Sequence, residues 1–192
     1  MLPEARHEGD GPPPRVPRER LAGRAICSAG RMDPRAQQLI ERLRLEPHPE
    51  GGFFREHFRS SGRVRPEDGR GARAALTAIH FLLAAGQRSR WHAVASEELW
   101  TFHEGDPLAL VCAEPETLGV EAVTLGRASE GHAPAFAIPA GRWQAAWPTG
   151  AFALVSCAVG PGFDFADFRL LADDPTLRAR IESGLPRLAH LL

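Results

Sequence analysis

The chain has 192 residues, 23 basic against 24 acidic, with a hydrophobic fraction of 43%, enough for one domain around a continuous core. That charge balance excludes the one-sided field by which nucleic-acid backbones and anionic membranes are usually held. Apart from histidine every basic residue is Arg, and Tyr is absent, so a Schiff-base lysine and a phenolic general acid are both excluded.

Residues 1–32 are rich in Pro, Gly and Arg and have no repeating apolar face, which predicts a disordered extension. Glu4, Glu8 and Asp10 argue against a transit peptide, and Met32 directly precedes the first patterned segment. The extension is therefore taken as an addition from an upstream translation start, with no function. Residues 33–192 are expected to form a single domain. Asp33-Pro34 ahead of Leu39, Ile40, Leu43 and Leu45 predicts a short helix, capped by Asp33 and ended before Pro47. From there to Phe168, short runs with period-two alternation are separated by Gly, Pro and Asp: FFREHFRS, ALTAIHFLL, ELWTFH, LALVCA, AFAIPA, RWQAAW and FALVSCAV. Such spacing predicts an all-β sandwich or barrel. PGFDF at 161–165 is expected to be a turn in which Gly162 takes an unusual backbone angle, and HPEGG at 48–52 another turn near the pocket rim. Over 173–192, Leu177, Ile181, Leu185 and Leu188 recur at helical spacing, interrupted at Gly184 and Pro186.

Cys27, Cys112 and Cys157 are odd in number and lack C-x-x-C spacing, which predicts free thiols in a reducing compartment. No apolar run approaches a membrane span and no secretory h-region opens the chain, so a soluble, cytoplasmic protein is expected.

Chemistry concentrates between Gly86 and Gly105. In a strand, residues two apart share a face, so His92 and Val94 point the same way. A tight turn over Ala95–Glu97 returns Glu98 to that face, with Trp100 and Phe102 continuing it. A histidine and a carboxylate thus meet in an apolar interior, where an ionisable group is costly unless paired, metal-bound or catalytic. Glu56 shares its strand face with Phe54 and Phe58 and is expected to point inward with them. Arg90 and Arg142 are the cations placed to meet an anionic substrate.

This stretch resembles the first motif of the cupin superfamily, G-x5-H-x-H-x3-4-E-x6-G. It matches at Gly86, His92, Glu98 and Gly105 and departs at Val94, where the superfamily has a second histidine. The second motif is recognisable at Pro139, Gly141 and Gln144, with Gln in place of the metal-binding His and Pro148 in place of Asn. A closer resemblance, to the small cupin-5 family related in fold to sugar-nucleotide 3,5-epimerases, is carried by HPEGGFFRE (48–56), Trp91-His92, SEELW (96–100), PAGRWQA (139–145) and PGFDF (161–165). It implies a double-stranded β-helix, or jelly-roll barrel, flanked by short helices and assembled as a homodimer.

Two of the superfamily's four ligand positions survive. A divalent metal held by His92, Glu98 and the amide oxygen of Gln144 is therefore the alternative rather than the expectation, since a neutral amide is a poor donor to transition metals. The leading expectation is a pocket for a small organic ligand, carbohydrate-like or nucleotide-like, acted on by an isomerase or epimerase. His92 would be its base, Glu98 or Glu56 would orient it or act as acid, and Gln144, Trp100, Trp143, Phe54, Phe102 and Arg90 would contact the ligand. The epimerases of this fold pair their histidine with a tyrosine acid, and this chain has no Tyr. Two further alternatives are a metal-dependent oxygenase or isomerase and a non-catalytic sensor or storage-type binding protein.

Overall fold

The computed structural model describes residues 32–192, so the extension expected over 1–32 lies outside the described residues but for Met32. Helix α1 (Pro34–Leu43) starts where the sequence puts it. The Asp33 carboxylate accepts from the N–H groups of Arg35 (2.8 Å) and Ala36 (3.2 Å), and Arg44 closes the helix in a left-handed conformation, φ 53°.

The strands follow in chain order: β1 (Glu46–Pro47), β2 (Phe53–Arg59), β3 (Arg63–Val64), β4 (Arg73–Ala74), β5 (Thr77–Ala84), β6 (Ser89–Val94), β7 (Glu97–Gly105). After them come β8 (Leu108–Ala113), β9 (Val120–Leu125), β10 (Ala135–Ile138), β11 (Trp143–Pro148), β12 (Phe152–Gly160) and β13 (Phe168–Leu170). They pair antiparallel into one sheet of order β1-β2-β5-β12-β7-β10 and a second of order β13-β6-β11-β8-β9, with β3 and β4 forming a separate ribbon. This is the expected all-β jelly roll. Strand β9 was not among the predicted runs, because VEAVTL carries Glu121 and lies half-buried at the edge of its sheet.

The interior between the sheets is filled by Phe81, Leu83, Trp100, Leu110, Ile138 and Val155. Two further clusters occupy the outer faces. Ala36 and Leu39 of α1 pack on Leu82, Ala84, Phe152 and Leu154 of the first sheet. Helix α2 (Pro175–Gly184), capped by Asp174, and the 3-10 turn Pro186–Leu191 lay Leu177, Ile181 and Leu191 over Trp91, Val111, Trp143 and Ala145 of the second. Covering both faces explains why LALVCA in β8 is continuously apolar and buried throughout.

Two local details depart from the alternating pattern. A bulge between Glu56 and Phe58 in the β2–β5 pairing breaks the period, so Phe58 turns outward and is 48% exposed rather than facing the interior. Gly162 does not take a positive φ. It is required by close approach: its N–H donates to the Ala74 carbonyl at 2.7 Å, and a Cβ there would lie 2.9 Å from that same oxygen. No helix among the described residues is long and apolar enough to cross a membrane.

Candidate functional site

A cavity of about 240 Å³ opens at one end of the barrel. Its buried floor is made by Glu50, His92, Glu98 and Cys157, and its mouth by Glu56, Arg59, Phe163, Asp164, Phe165 and Phe168. His92 and Glu98 come together as the β6–turn–β7 spacing predicts, and both are buried.

Glu50 is the partner that sequence reasoning missed. It sits in the turn between β1 and β2, where Gly51 (φ 114°) and Gly52 (φ 71°) fold the backbone flat against the β5–β6 hairpin. A Cβ on Gly51 would fall 2.2 Å from the Arg88 carbonyl oxygen, and one on Gly52 2.7 Å from that of Leu82. The Arg90 N–H fixes the turn by donating to the Glu50 carbonyl at 2.9 Å. The Glu50 side chain is thereby driven inward, to 3.0 Å from His92 Nδ1. The one sequence signal for this was an acidic residue directly before two glycines.

His92 Nδ1 also lies 2.8 Å from the Arg90 carbonyl oxygen. Both neighbours are acceptors, so Nδ1 carries a proton whatever the charge of the ring, and Nε2 is the nitrogen that gains or loses one. Nε2 has no hydrogen-bond partner among the described residues, yet no buried side-chain nitrogen or oxygen there lacks one, so Nε2 is not sealed in the core and faces the cavity that His92 lines. Burial opposes the charged ring, but the carboxylate of Glu50, with its hydrogen bond, outweighs that and raises the His92 pKa to about 9. Glu50 answers in the opposite sense. Burial would raise it, yet the charge and hydrogen bond of His92, with help from a hydrogen bond of Ser89, hold it below its ordinary value. His48 is pushed down by burial, and its neutral Nδ1 accepts from the Glu50 N–H at 3.3 Å.

Glu98 behaves differently. Burial first, and Glu50 second, raise its pKa against the pull of His92. Its Oε2 accepts from Gln144 Nε2 at 2.5 Å, and the Cys157 thiol, itself driven well up by burial, stands beside the same carboxylate. The Gln144 orientation follows from chemistry. Trp100 Nε1 can only donate, and it reaches Gln144 Oε1 at 2.9 Å, so the amide nitrogen must face Glu98.

That chain corrects the proposed metal set. The amide oxygen of Gln144 is spent on Trp100 in the core and does not reach the cavity, and among the described residues no three His, Cys, Asp or Glu side chains converge as a metal site. A His92/Glu98/Gln144 set does not fit a divalent cation.

The expected ligand contacts divide. Phe54 lines the cavity. Trp100 is fully buried in the inter-sheet core, Phe102 packs against that core, and Trp143 lies under the C-terminal helix with Arg169 over its ring, so none of the three reaches the cavity. Gln144 stands behind Glu98 rather than beside a ligand. Arg90 points away, donating to the Pro49 carbonyl, and Arg142 pairs with Glu114 and Glu121 on the surface. Glu56 stands at the mouth, paired with Arg59 at 2.6 Å, instead of on the floor. The residues missed, Glu50, His48, Cys157 and the Phe163–Phe168 segment, come from turns and from the far strand β12.

Trp100→Phe should strip Gln144 Oε1 of the indole donor and cost about 1–3 kcal/mol, seen as a lower denaturation midpoint. An unchanged midpoint would mean that the indole does not hold the amide.

Two antiparallel sheets closed around a pocket with a histidine and a carboxylate on its floor define a cupin-fold protein. The chain belongs to the Cupin_5 family, Cupin superfamily (DUF985), which it matches over residues 37–171. A hypothetical protein from Leishmania major is similar at 31% identity and a TM-score of 0.70, over 81% of this chain and 95% of that one. A crystal structure from Shewanella oneidensis is similar at 32% identity and 0.68, over 81% and 93%. Oxalate decarboxylase from Lactobacillus farciminis, solved as a formate complex, shares the fold alone: 15% identity and 0.50, over 77% of this chain and 41% of that one. No curated protein matches the chain.

Proposed function

We propose that the cavity binds a small, single-ring organic molecule of carbohydrate-like character and moves a proton on it, as in an isomerase or epimerase. The observation that carries this is the floor itself, where a charged histidine locked to Glu50 faces the same small space as Glu98, a carboxylate with a raised pKa. Pairs of titratable groups whose environments push them apart are the usual arrangement for acid–base work. The volume of about 240 Å³ lies below the range of drug-sized pockets, roughly 300–1,000 Å³, which favours one sugar ring over a nucleotide.

The expected roles then exchange. His92 is protonated near neutral pH, so it serves as the electrophile, donating from Nε2 to a substrate carbonyl oxygen. Glu98 in its carboxylate form is the base: it takes the proton from the hydroxyl-bearing carbon next to the carbonyl, while the electron pair moves onto the carbonyl oxygen and that oxygen takes the Nε2 proton of His92. Glu98, its proton exchanged with water, then protonates either the same carbon, with His92 recovering its proton, or the other carbon, with the second hydroxyl giving its proton to His92. Burial suits Glu98 to this, because a raised pKa makes its carboxylate a stronger base than an exposed one. Neither tyrosine nor metal is required.

Solvent exchange is the test. Incubating the protein in deuterium oxide with reducing monosaccharides should put deuterium on the carbon next to the carbonyl of a substrate, and Glu98→Gln should lower that rate by at least about a hundredfold. Exchange that persists in Glu98→Gln would remove Glu98 as the base, and its absence from every sugar in the unsubstituted protein would remove the reaction.

A further inference from the structure

The mouth of the cavity is unlike its floor. Phe163, Phe165 and Phe168 stand with their ring centroids 5.1–6.4 Å apart and their planes 65–80° to one another, walls of a corner rather than a stack. Phe165 is 60% exposed, a large apolar side chain left in solvent at an opening, with the carboxylate of Asp164 beside it. Among the lining side chains Glu50, Glu56 and Asp164 outnumber Arg59 and His92 even before Glu98 is considered, and both of those cations are already engaged with carboxylates. Arg90 and Arg142, the arginines expected to meet an anionic substrate, are turned elsewhere, and Arg73, near Asp164, is held by Asp167. An anion would enter a field of its own sign. A cation would meet the π faces and the acidic rim together.

A second observation marks the space below as a ligand site in its own right: His92 is 2% exposed, and its Nε2 has no hydrogen-bond partner among the described residues and is turned to the cavity. From the aromatic corner, the acidic rim and this waiting donor we infer that the cavity selects a molecule carrying both a protonated amine and a hydroxyl or carbonyl group, an amino sugar or a compound like one. The amine lies at Phe163, Phe165 and Asp164, and the oxygen reaches His92 on the floor. This rests on the proposed function and narrows it, and it excludes phosphorylated sugars and sugar nucleotides as substrates.

A matched set of probes separates charge from shape. Binding of glucosamine, glucose and glucose 6-phosphate is compared by calorimetry at about pH 6, below the ordinary range of amines. Glucosamine is expected to bind about tenfold more tightly than glucose, with the phosphate weakest. Phe165→Leu and Asp164→Asn, both at exposed positions, should each remove most of that preference, read as the ratio of the glucosamine and glucose affinities in the same variant. Equal affinity for glucosamine and glucose, tighter binding of the phosphate, failure of glucosamine to bind, or a preference that survives both substitutions would overturn the inference. If the amine preference holds while no sugar exchanges its proton with solvent, the cation specificity stands and only the proton-transfer reading falls.

Discussion

Glu50→Gln is expected to bring the pKa of His92 well down from about 9, followed by the imidazole resonances in NMR. The amide can still accept from Nδ1, so the ring keeps its place, but the largest opposing charge is gone and burial then works against only Glu98 and the Arg90 carbonyl. Stability should follow with a definite sign. A folded pKa above the unfolded one contributes stability that is complete below 6.5 and is lost as the pH rises through about 9, on the order of 3 kcal/mol in all. Glu98, also raised, loses its contribution in the same direction, from about 4.5 upward. Glu50, lowered, works the other way: its contribution is present above about 4.5 and disappears as the pH falls through its folded value.

Denaturation of the unsubstituted protein should therefore show highest stability in mildly acidic solution and a decline toward pH 9. In Glu50→Gln most of that decline should vanish, and at pH 6.5 the melting temperature should drop by about 6–12 °C. The loss is bounded because His92 can escape burial as an ion by releasing its proton. A His92 pKa near 6.5 in the unsubstituted protein would dissolve the pair on which both the chemistry and this pH dependence depend.

How far the sequence carried can be judged from individual side chains. Alternation assigns a residue to a face, and on that basis His92, Glu98 and Phe54 were correctly turned inward. It does not say how deep along the barrel a residue lies. Trp100 follows Glu98 by two and shares its face, yet it lies one step further from the mouth, where the sheets meet and no ligand reaches. Nor does alternation tell an interior face from an exterior one that is covered. In β11, Gln144 and Ala146 face between the sheets, while Trp143 and Ala145 face α2, and all four are buried. Counting by twos also fails at a bulge, which put Phe58 on the wrong side. HPEGG and PGFDF were legible as turns, the first near the pocket rim, but the inward direction of Glu50 and the rim role of Phe163, Phe165 and Phe168 were not, because side-chain directions there depend on backbone angles that no periodicity encodes.

The loop that delivers Glu50 gives the sharpest separation between fold and site. Gly51→Ala places a side chain at φ 114°, which L residues rarely adopt, with its Cβ 2.2 Å from a backbone oxygen that cannot rotate away. Strain alone costs about 1–3 kcal/mol, and relieving the clash must move the turn off the β5–β6 hairpin. Since Glu50 is the adjacent residue, that movement withdraws its carboxylate from His92, so the melting temperature and the His92 pKa should fall together. Gly86→Ala is the matched control. It too has a positive φ, 78°, and it opens the stretch that carries the ligand-position residues, but a Cβ there meets nothing within 4 Å. Only the backbone cost remains, so stability should fall modestly while the His92 titration stays near 9. If Gly51→Ala lowered stability yet left the His92 titration unchanged, the glycine pair would be serving the fold alone, and something other than this turn would be holding Glu50 in place.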